Sequence, residues 1–299
     1  SDEAPPVFYR PEREAQVLRA IQERNPGPLA SEHIASVFRE IMSSCLALEQ
    51  PLSVAFLGPE GTYSQAAALK HFGQSAQPQG QASIHKVFRQ VEERLCDYGV
   101  VPVENSTEGM VGQTLDCFLE SPLQITGEIE LPVVHHLLSG RGAEQSHIQL
   151  ILGHEQALGQ CRQWLDSHLP DVPREAVASN GEAARRAGIE AGVAAIAGEL
   201  AAGLHQLDTL ASAIQDSSTN TTRFLVLGKE SVPPSGHDKT SLQRAKKVSM
   251  ASPSASAISV RRCSCSCAMA SMAIRMASRL VKVISRHING SDAAIRVIS

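Results

Sequence analysis

From Leu52 onward, short apolar runs alternate with stretches of helical spacing, and that alternation leaves an α/β fold as the consistent solution. The runs are Val54-Ala55-Phe56-Leu57, Tyr98 to Val103, Gln124 to Leu131, His147 to Leu152, Ala176 to Ser179, Val193 to Ala197 and Phe224 to Leu227. Helices are predicted from about residues 64 and 111. Runs such as Phe224 to Leu227 are apolar without a break, which suits strands covered on both faces. So many strand-loop-helix junctions fit two lobes with a cleft between them. Ahead of this region, residues 11 to 24 and 31 to 49 read as two helices. Pro11 and Ser31 mark their starts, Asn25-Pro26-Gly27 is a stop, and Ile34, Phe38, Ile41, Cys45 and Leu48 form one apolar stripe. Two helices alone make a poor core.

A chain of 299 residues, 42% hydrophobic and 19% charged, has material for two or three domains. Charge divides it unevenly. Residues 1 to 243 carry 17 Lys and Arg against 30 Asp and Glu, whereas residues 244 to 299 carry 10 against 1. That second segment is also free of Phe, Trp and Tyr and crowded with Ser and Ala, so it offers few side chains that build a core. No run of 18 apolar residues and no secretory leader is present, so the expected location is cytoplasmic, with neither a membrane nor a nucleic acid as partner. Cys45, Cys96, Cys117 and Cys161 stand singly within apolar helical patterns, as reduced core cysteines do.

Chemistry gathers where strands end. The first strand runs into Gly58-Pro59-Glu60-Gly61-Thr62-Tyr63-Ser64, whose glycines let backbone approach a ligand and whose following helix presents N–H groups to an anion. An ordinary strand-to-helix turn reads the same way. The second cluster is Pro102-Val103-Glu104-Asn105-Ser106-Thr107-Glu108-Gly109, which a solvent loop also resembles. The third, Asn220-Thr221-Thr222-Arg223, opens the apolar run at Phe224. An unpaired buried cation is costly, so Arg223 needs an anion, either a ligand or one of the chain's own carboxylates. Ligands of open α/β sheets sit at the carboxyl ends of strands, and three polar clusters at such boundaries point to one shared site.

Together these three segments resemble prephenate dehydratase. His154-Glu155-Gln156-Ala157-Leu158 is similar to that family's Ser-His-x-Gln-x-Leu segment, with Gly153 standing where Ser is usual, and Ala194-Ala195-Ile196-Ala197-Gly198 resembles its Ala-Ala-Ile-Ala-Gly strand and turn. The likeness covers about residues 52 to 229. It implies a two-lobed, periplasmic-binding-protein-like domain, with lobe one from about 52–128 and 215–229 and lobe two from about 129–214. It implies prephenate as the small-molecule substrate, no metal or other cofactor, and a product, phenylpyruvate, formed by loss of CO2 and water. A homodimer stays open.

By that resemblance Thr222 is offered to the leaving hydroxyl, Arg223 neutralises a substrate carboxylate, and Phe224 packs the strand that aims them. Asn105, Ser106, Thr107 and the Gly61, Thr62, Ser64 loop would supply further donors, each with a second reading as a turn or cap residue. His154 joins them only through its family segment. Glu60 and Glu104 would repel a dianion and are set aside. A non-catalytic small-anion or amino-acid binding module on the same scaffold is the alternative, and an inert product a third reading. Thr222 separates enzyme from binder, since a binder has no chemical use for its hydroxyl.

The two ends depart from the family. Residues 1 to 50 resemble the second and third helices of a chorismate mutase domain, with Arg13 and Glu14 at recognisable site positions, and no mutase activity is expected. Residues 230 to 243 resemble the entry into a phenylalanine-sensing ACT domain. From 244 to 299 the likeness stops, and a disordered or frameshifted tail without phenylalanine feedback is expected. Cys263, Cys265 and Cys267 are a poor tetrahedral metal set. Met269, Met272, Met276, Leu280 and Val283 fall at helical spacing opposite basic residues, a pattern that reads as accidental.

Overall fold

A computed structural model describes residues 9–232 and, beyond them, the backbone of strands at 241–245, 257–261 and 295–297. The tail cysteines and the Met269-to-Val283 pattern lie outside the described residues.

Helix α1 (Pro11–Glu23) has proline in its first turn, where a missing N–H is no loss. It packs against α2 (Ser31–Glu49), and the pair buries Leu18, Ala35 and Ser43. The apolar stripe of α2 does not face inward as the spacing suggests. Phe38, Ile41 and Leu48 are 39%, 51% and 87% exposed, and Cys45 is exposed with them. Instead the opposite side docks on the next domain: the Glu40 carboxylate accepts the Gln74 N–H at 2.9 Å, and the Ser44 and Ser75 hydroxyls meet at 3.1 Å. Tyr9 completes the contact, its ring 5.7 Å from that of Phe72 and 5.4 Å from that of Tyr98.

Two sheets follow. The first takes β1 (Ser53–Leu57), β2 (Gln77–Gln81), β3 (Tyr98–Asn105), β4 (Gly109–Met110) and β5 (Gln124–Pro132), with helices α3 (Tyr63–Phe72), α4 (Ile84–Glu92) and α5 (Gly112–Glu120). The chain then builds the second sheet from β6 (His136–Ser139), β7 (Leu150–Gly153), β8 (Arg174–Ala176), β9 (Val193–Ala197) and β10 (Asp208–Ala211). Helices α6 (Glu155–Gln160), α7 (Arg162–His168), α8 (Asn180–Ala187) and α9 (Glu199–His205) cover it. Finally it returns to the first sheet as β11 (Thr221–Gly228), giving the orders β2-β1-β3-β11-β5, with β4 on β3, and β10-β6-β9-β7-β8. The strands Ser241–Ala245, Ala257–Arg261 and Ile295–Val297, β12 to β14, pair in a separate sheet.

The unbroken apolar run of β11 has a direct cause. It lies antiparallel between β3 and β5, and both faces are covered. Phe224 and Val226 join the cluster of Val54, Ala67 and Phe72, while Leu225 and Leu227 join that of Val87, Phe88 and Phe118. In the second lobe all five residues of β9 are buried. Its alanines admit Ala183, Ala184 and Ala187 of α8 close to the sheet. The predicted strand at 176–179 ends at Ala176, because the Ser179 hydroxyl is needed to accept the Glu182 N–H at the start of α8. Strand β7 begins at Leu150 rather than His147. Among the described residues, no helix is long and apolar enough to cross a membrane.

One half-buried ring makes stability depend on pH. His71 lies edge-on to Phe72 with centroids 4.7 Å apart, and burial, helped by the Arg39 charge, pushes its imidazole down to about 4. The unfolded chain then binds the extra proton first, so this contribution is complete above about pH 6.5 and is lost as pH falls toward 4. The loss amounts to about 3 kcal/mol. Urea unfolding at pH 7 and pH 4.5 is expected to show it in the parent and to show a smaller drop in His71→Gln; equal drops would assign the effect elsewhere.

Candidate active site

Two crossings, 133–135 outward and 212–220 on the return, join the lobes, and polar side chains collect where they pass. The Asn105 side chain sits at the end of β3 directly opposite Thr222 of β11. Its Oδ1 accepts the backbone N–H groups of Thr107 and Glu108 at 2.9 and 3.0 Å. That fixes the amide: Nδ2 must face the other way, and it donates to Thr222 Oγ1 at 2.8 Å and to Asn220 Oδ1 at 2.9 Å. Asn220 is 4% exposed and passes the chain on, its Nδ2 donating to Gln160 Oε1 at 3.1 Å. Gln160 Oε1 also lies 2.8 Å from His135 Nε2, and His135 Nδ1 lies 3.1 Å from the Tyr63 hydroxyl. The Tyr63 hydroxyl donates to Val134 O at 2.6 Å.

This seam draws on β3, β11 and α3 of the first lobe, α6 of the second, and both crossings. Burial pushes the Tyr63 phenol well above its ordinary range and lowers the His135 imidazole against a smaller upward pull from Gln160, so at neutral pH both carry no charge. Cys161, beside the seam, is pushed up to about 12 by burial and so is no nucleophile.

The loop Gly58 to Ser64 closes the other side. Gly61 has φ +76° and lies against Ala201 and Gly181 of the second lobe, an approach and a backbone that favour glycine. A methyl group on Gly181 would overlap the Glu60 carbonyl oxygen, and one on Gly198 would press on the Tyr63 ring. The lobes therefore meet through backbone. Beside this contact a cavity of about 610 Å³ is lined by Gly61, Thr62, Tyr63, Lys70, His136 and Glu199 among apolar neighbours.

The structure sorts the residues singled out from sequence. Thr222 and Asn105 are brought together. Phe224, 1% exposed, packs the strand beneath them. Arg223 points to the face opposite Phe224, where Nη2 pairs with Glu104 at 2.8 Å and Nη1 reaches Glu128 at 3.8 Å, while its Nε has no hydrogen-bond partner among the described residues. Both carboxylates belong to the chain. Ser106 serves as a clamp, accepting the Thr221 N–H at 2.9 Å and donating to Thr219 O at 3.3 Å, and the Thr107 side chain is exposed. Thr62 donates to Pro59 O at 2.9 Å, Ser64 is buried, and the Gly61 N–H is already taken by Gln65 Oε1 at 2.7 Å, which leaves that loop one donor fewer for an anion. His154 caps α6, its Nδ1 accepting the Gln156 N–H at 3.3 Å. Glu14 pairs with Arg39 at 3.5 Å while Arg13 is exposed, so the structure does not join the two in one site.

Tyr63, His135, Gln160 and Asn220 were not among the residues singled out. Tyr63 and Asn220 stand inside the quoted segments, but His135 and Gln160 carry no local signal.

What the fold and the seam define is a two-lobed α/β protein with its polar site shared between the lobes. The family model of prephenate dehydratase matches residues 54–232, and that of chorismate mutase type II matches residues 2–50. The chain belongs to the prephenate dehydratase family. It is 58% identical over 236 residues to a bifunctional chorismate mutase/prephenate dehydratase of Stutzerimonas stutzeri, covering 79% of this chain and 65% of the relative. A prephenate dehydratase of Mycobacterium marinum is 35% identical over 201 residues, covering 63% of this chain and 64% of its own length. Among solved structures, the Arthrobacter aurescens prephenate dehydratase in complex with L-Phe matches with a TM-score of 0.59 and 32% identity, covering 63% of this chain and 65% of that one. The chain thus spans about 65% of the length of its bifunctional relatives.

Proposed function

We propose that this chain catalyses the decarboxylative dehydration of prephenate to phenylpyruvate, a step of phenylalanine biosynthesis, as a lyase that needs no cofactor. One observation carries the reading: Thr222 Oγ1 accepts a hydrogen bond from an amide that cannot turn round, and among the described residues no acceptor takes the hydroxyl's own proton. A hydroxyl so placed is a donor awaiting an acceptor.

The leaving hydroxyl of prephenate is such an acceptor. The electron pair of the bond to the departing carboxylate moves into the ring, the carbon–hydroxyl bond breaks, and the oxygen leaves as water with a proton supplied through Thr222. Aromatisation drives the step, and solvent restores the proton to Thr222. Each turnover consumes one proton. The Asn105 amide polarises the threonine by donating to it, which strengthens the hydrogen bond that threonine gives. Substrate anions fall to backbone N–H groups of the first turn of α3, where Thr62 provides no side-chain cap. Arg223, held by Glu104 and Glu128, is not assigned to them.

The test is prephenate turnover followed by ultraviolet absorbance, with proton uptake measured in parallel. Phenylpyruvate and proton uptake in equal amounts, read before the released CO2 hydrates to bicarbonate and returns the proton, support the reading. A folded chain that binds prephenate without turnover would return it to the binding-module alternative. Phenylalanine is added in a second arm, where indifference is expected from the departure of the sequence after residue 243.

A further inference from the structure

The chain of amides between Thr222 and Tyr63 has a fixed polarity, and that polarity assigns a proton. Backbone N–H groups pin Asn105 Oδ1, so Asn105 gives to Asn220 Oδ1; Asn220 must then give through Nδ2, and Gln160 must receive through Oε1. The atom 2.8 Å from that oxygen is His135 Nε2, which therefore carries a hydrogen. In a neutral ring this leaves Nδ1 bare, and the one proton of the Tyr63 hydroxyl is shared between Val134 O at 2.6 Å and that Nδ1 at 3.1 Å.

We propose that His135 is a positioning residue for the dehydration, its Nε2–H holding Gln160, Asn220 and Asn105 in the one order that leaves the Thr222 proton free for substrate. This rests on the reading of Thr222 given above. His135 is 2% exposed, so solvent cannot stand in for its donor. Without that N–H, Gln160 Oε1 loses its second donor and the amide gains a reason to turn. A turned Gln160 would set its NH2 against that of Asn220, and the conflict would reach Asn105, whose other end is held by the backbone. The ring also lies on the outward crossing while Gln160 belongs to the second lobe, so the order is complete only when the lobes stand as they do here.

Two variants separate positioning from packing. His135→Gln places an amide N–H where Nε2 stood, and His135→Leu removes the donor. The leucine variant is expected to lose about 10- to 30-fold in kcat with KM little changed, the loss of a positioned hydrogen bond, and the glutamine variant is expected to recover most of it. Placed on Thr222→Ala, the leucine change is expected to cost nothing further, because it acts through that hydroxyl. Equal losses in both variants, or the same loss with and without Thr222, would overturn the proposal. Nitrogen-15 imidazole shifts test it without activity: Nε2 protonated and Nδ1 bare is expected, and the opposite tautomer refutes the assignment whatever the enzyme does. An active Thr222→Ala would instead sink the reading of Thr222 and leave the tautomer result standing.

Discussion

Thr222→Ala is expected to lower kcat/KM for prephenate by about 10²- to 10⁴-fold, the range associated with a positioned proton donor. The substitution removes an oxygen that is half-buried at the start of β11 and bonded to Asn105, while Phe224 and Val226 beneath it keep their packing. The thermal midpoint should therefore move little. Thr222→Ser keeps a hydroxyl, and although it loses the methyl that fixes its rotamer it is expected to retain a measurable share of the rate. A Thr222→Ala enzyme that turns over prephenate at the parental rate would show that the proton comes from elsewhere, and ultraviolet assay of purified protein decides it.

The second large effect comes from a residue with no side chain. Gly181 sits in the first turn of α8 with its Cα against the Glu60 carbonyl of the facing lobe, where an added methyl would overlap that oxygen. To admit it the lobes must part by roughly 1 Å, and a misplacement of that size in a shared site costs about 100-fold in rate. Helix α8 itself should gain, since alanine is the better helix former by roughly 0.5–1 kcal/mol. Gly181→Ala is thus expected to be as stable as the parent or more so, and about 100-fold slower. Loss of stability together with activity would mean that the residue serves folding instead of the meeting of the lobes.

Much of this was legible in sequence, for identifiable reasons. Phe224 to Leu227 announced a strand covered twice because burial on both faces leaves no alternation to obscure. Asn105 and Thr222 stood in quoted segments because their chemistry depends on residues next to them. The misses share another cause. Strand β2, Gln77-Pro78-Gln79-Gly80-Gln81, pairs along one edge only and is mostly open to solvent, so no apolar pattern marks it. Helix α4 does carry a signal, with Ile84, Val87, Phe88 and Val91 on one buried face. Arg223 poses a choice between a ligand and an internal carboxylate, and only strand register reveals that Glu104 faces it across the ladder. His135 and Gln160 acquire meaning from contacts that span 72 and 60 residues of chain, to Tyr63 and Asn220, and nothing local foretells them.

The place of β11 has a consequence for how a ribosome delivers this protein. The second sheet is drawn from one continuous stretch, 136–211, and can close as soon as that stretch emerges. The first sheet cannot, because its β3 and β5 are bridged only by a strand translated about ninety residues after β5. Until then their inward edges stand unpaired, a template for association with other nascent chains that the interior position of β11 later removes. Thr222 arrives on that same strand. Assembly of the site and protection of the chain from aggregation are thus a single event in synthesis.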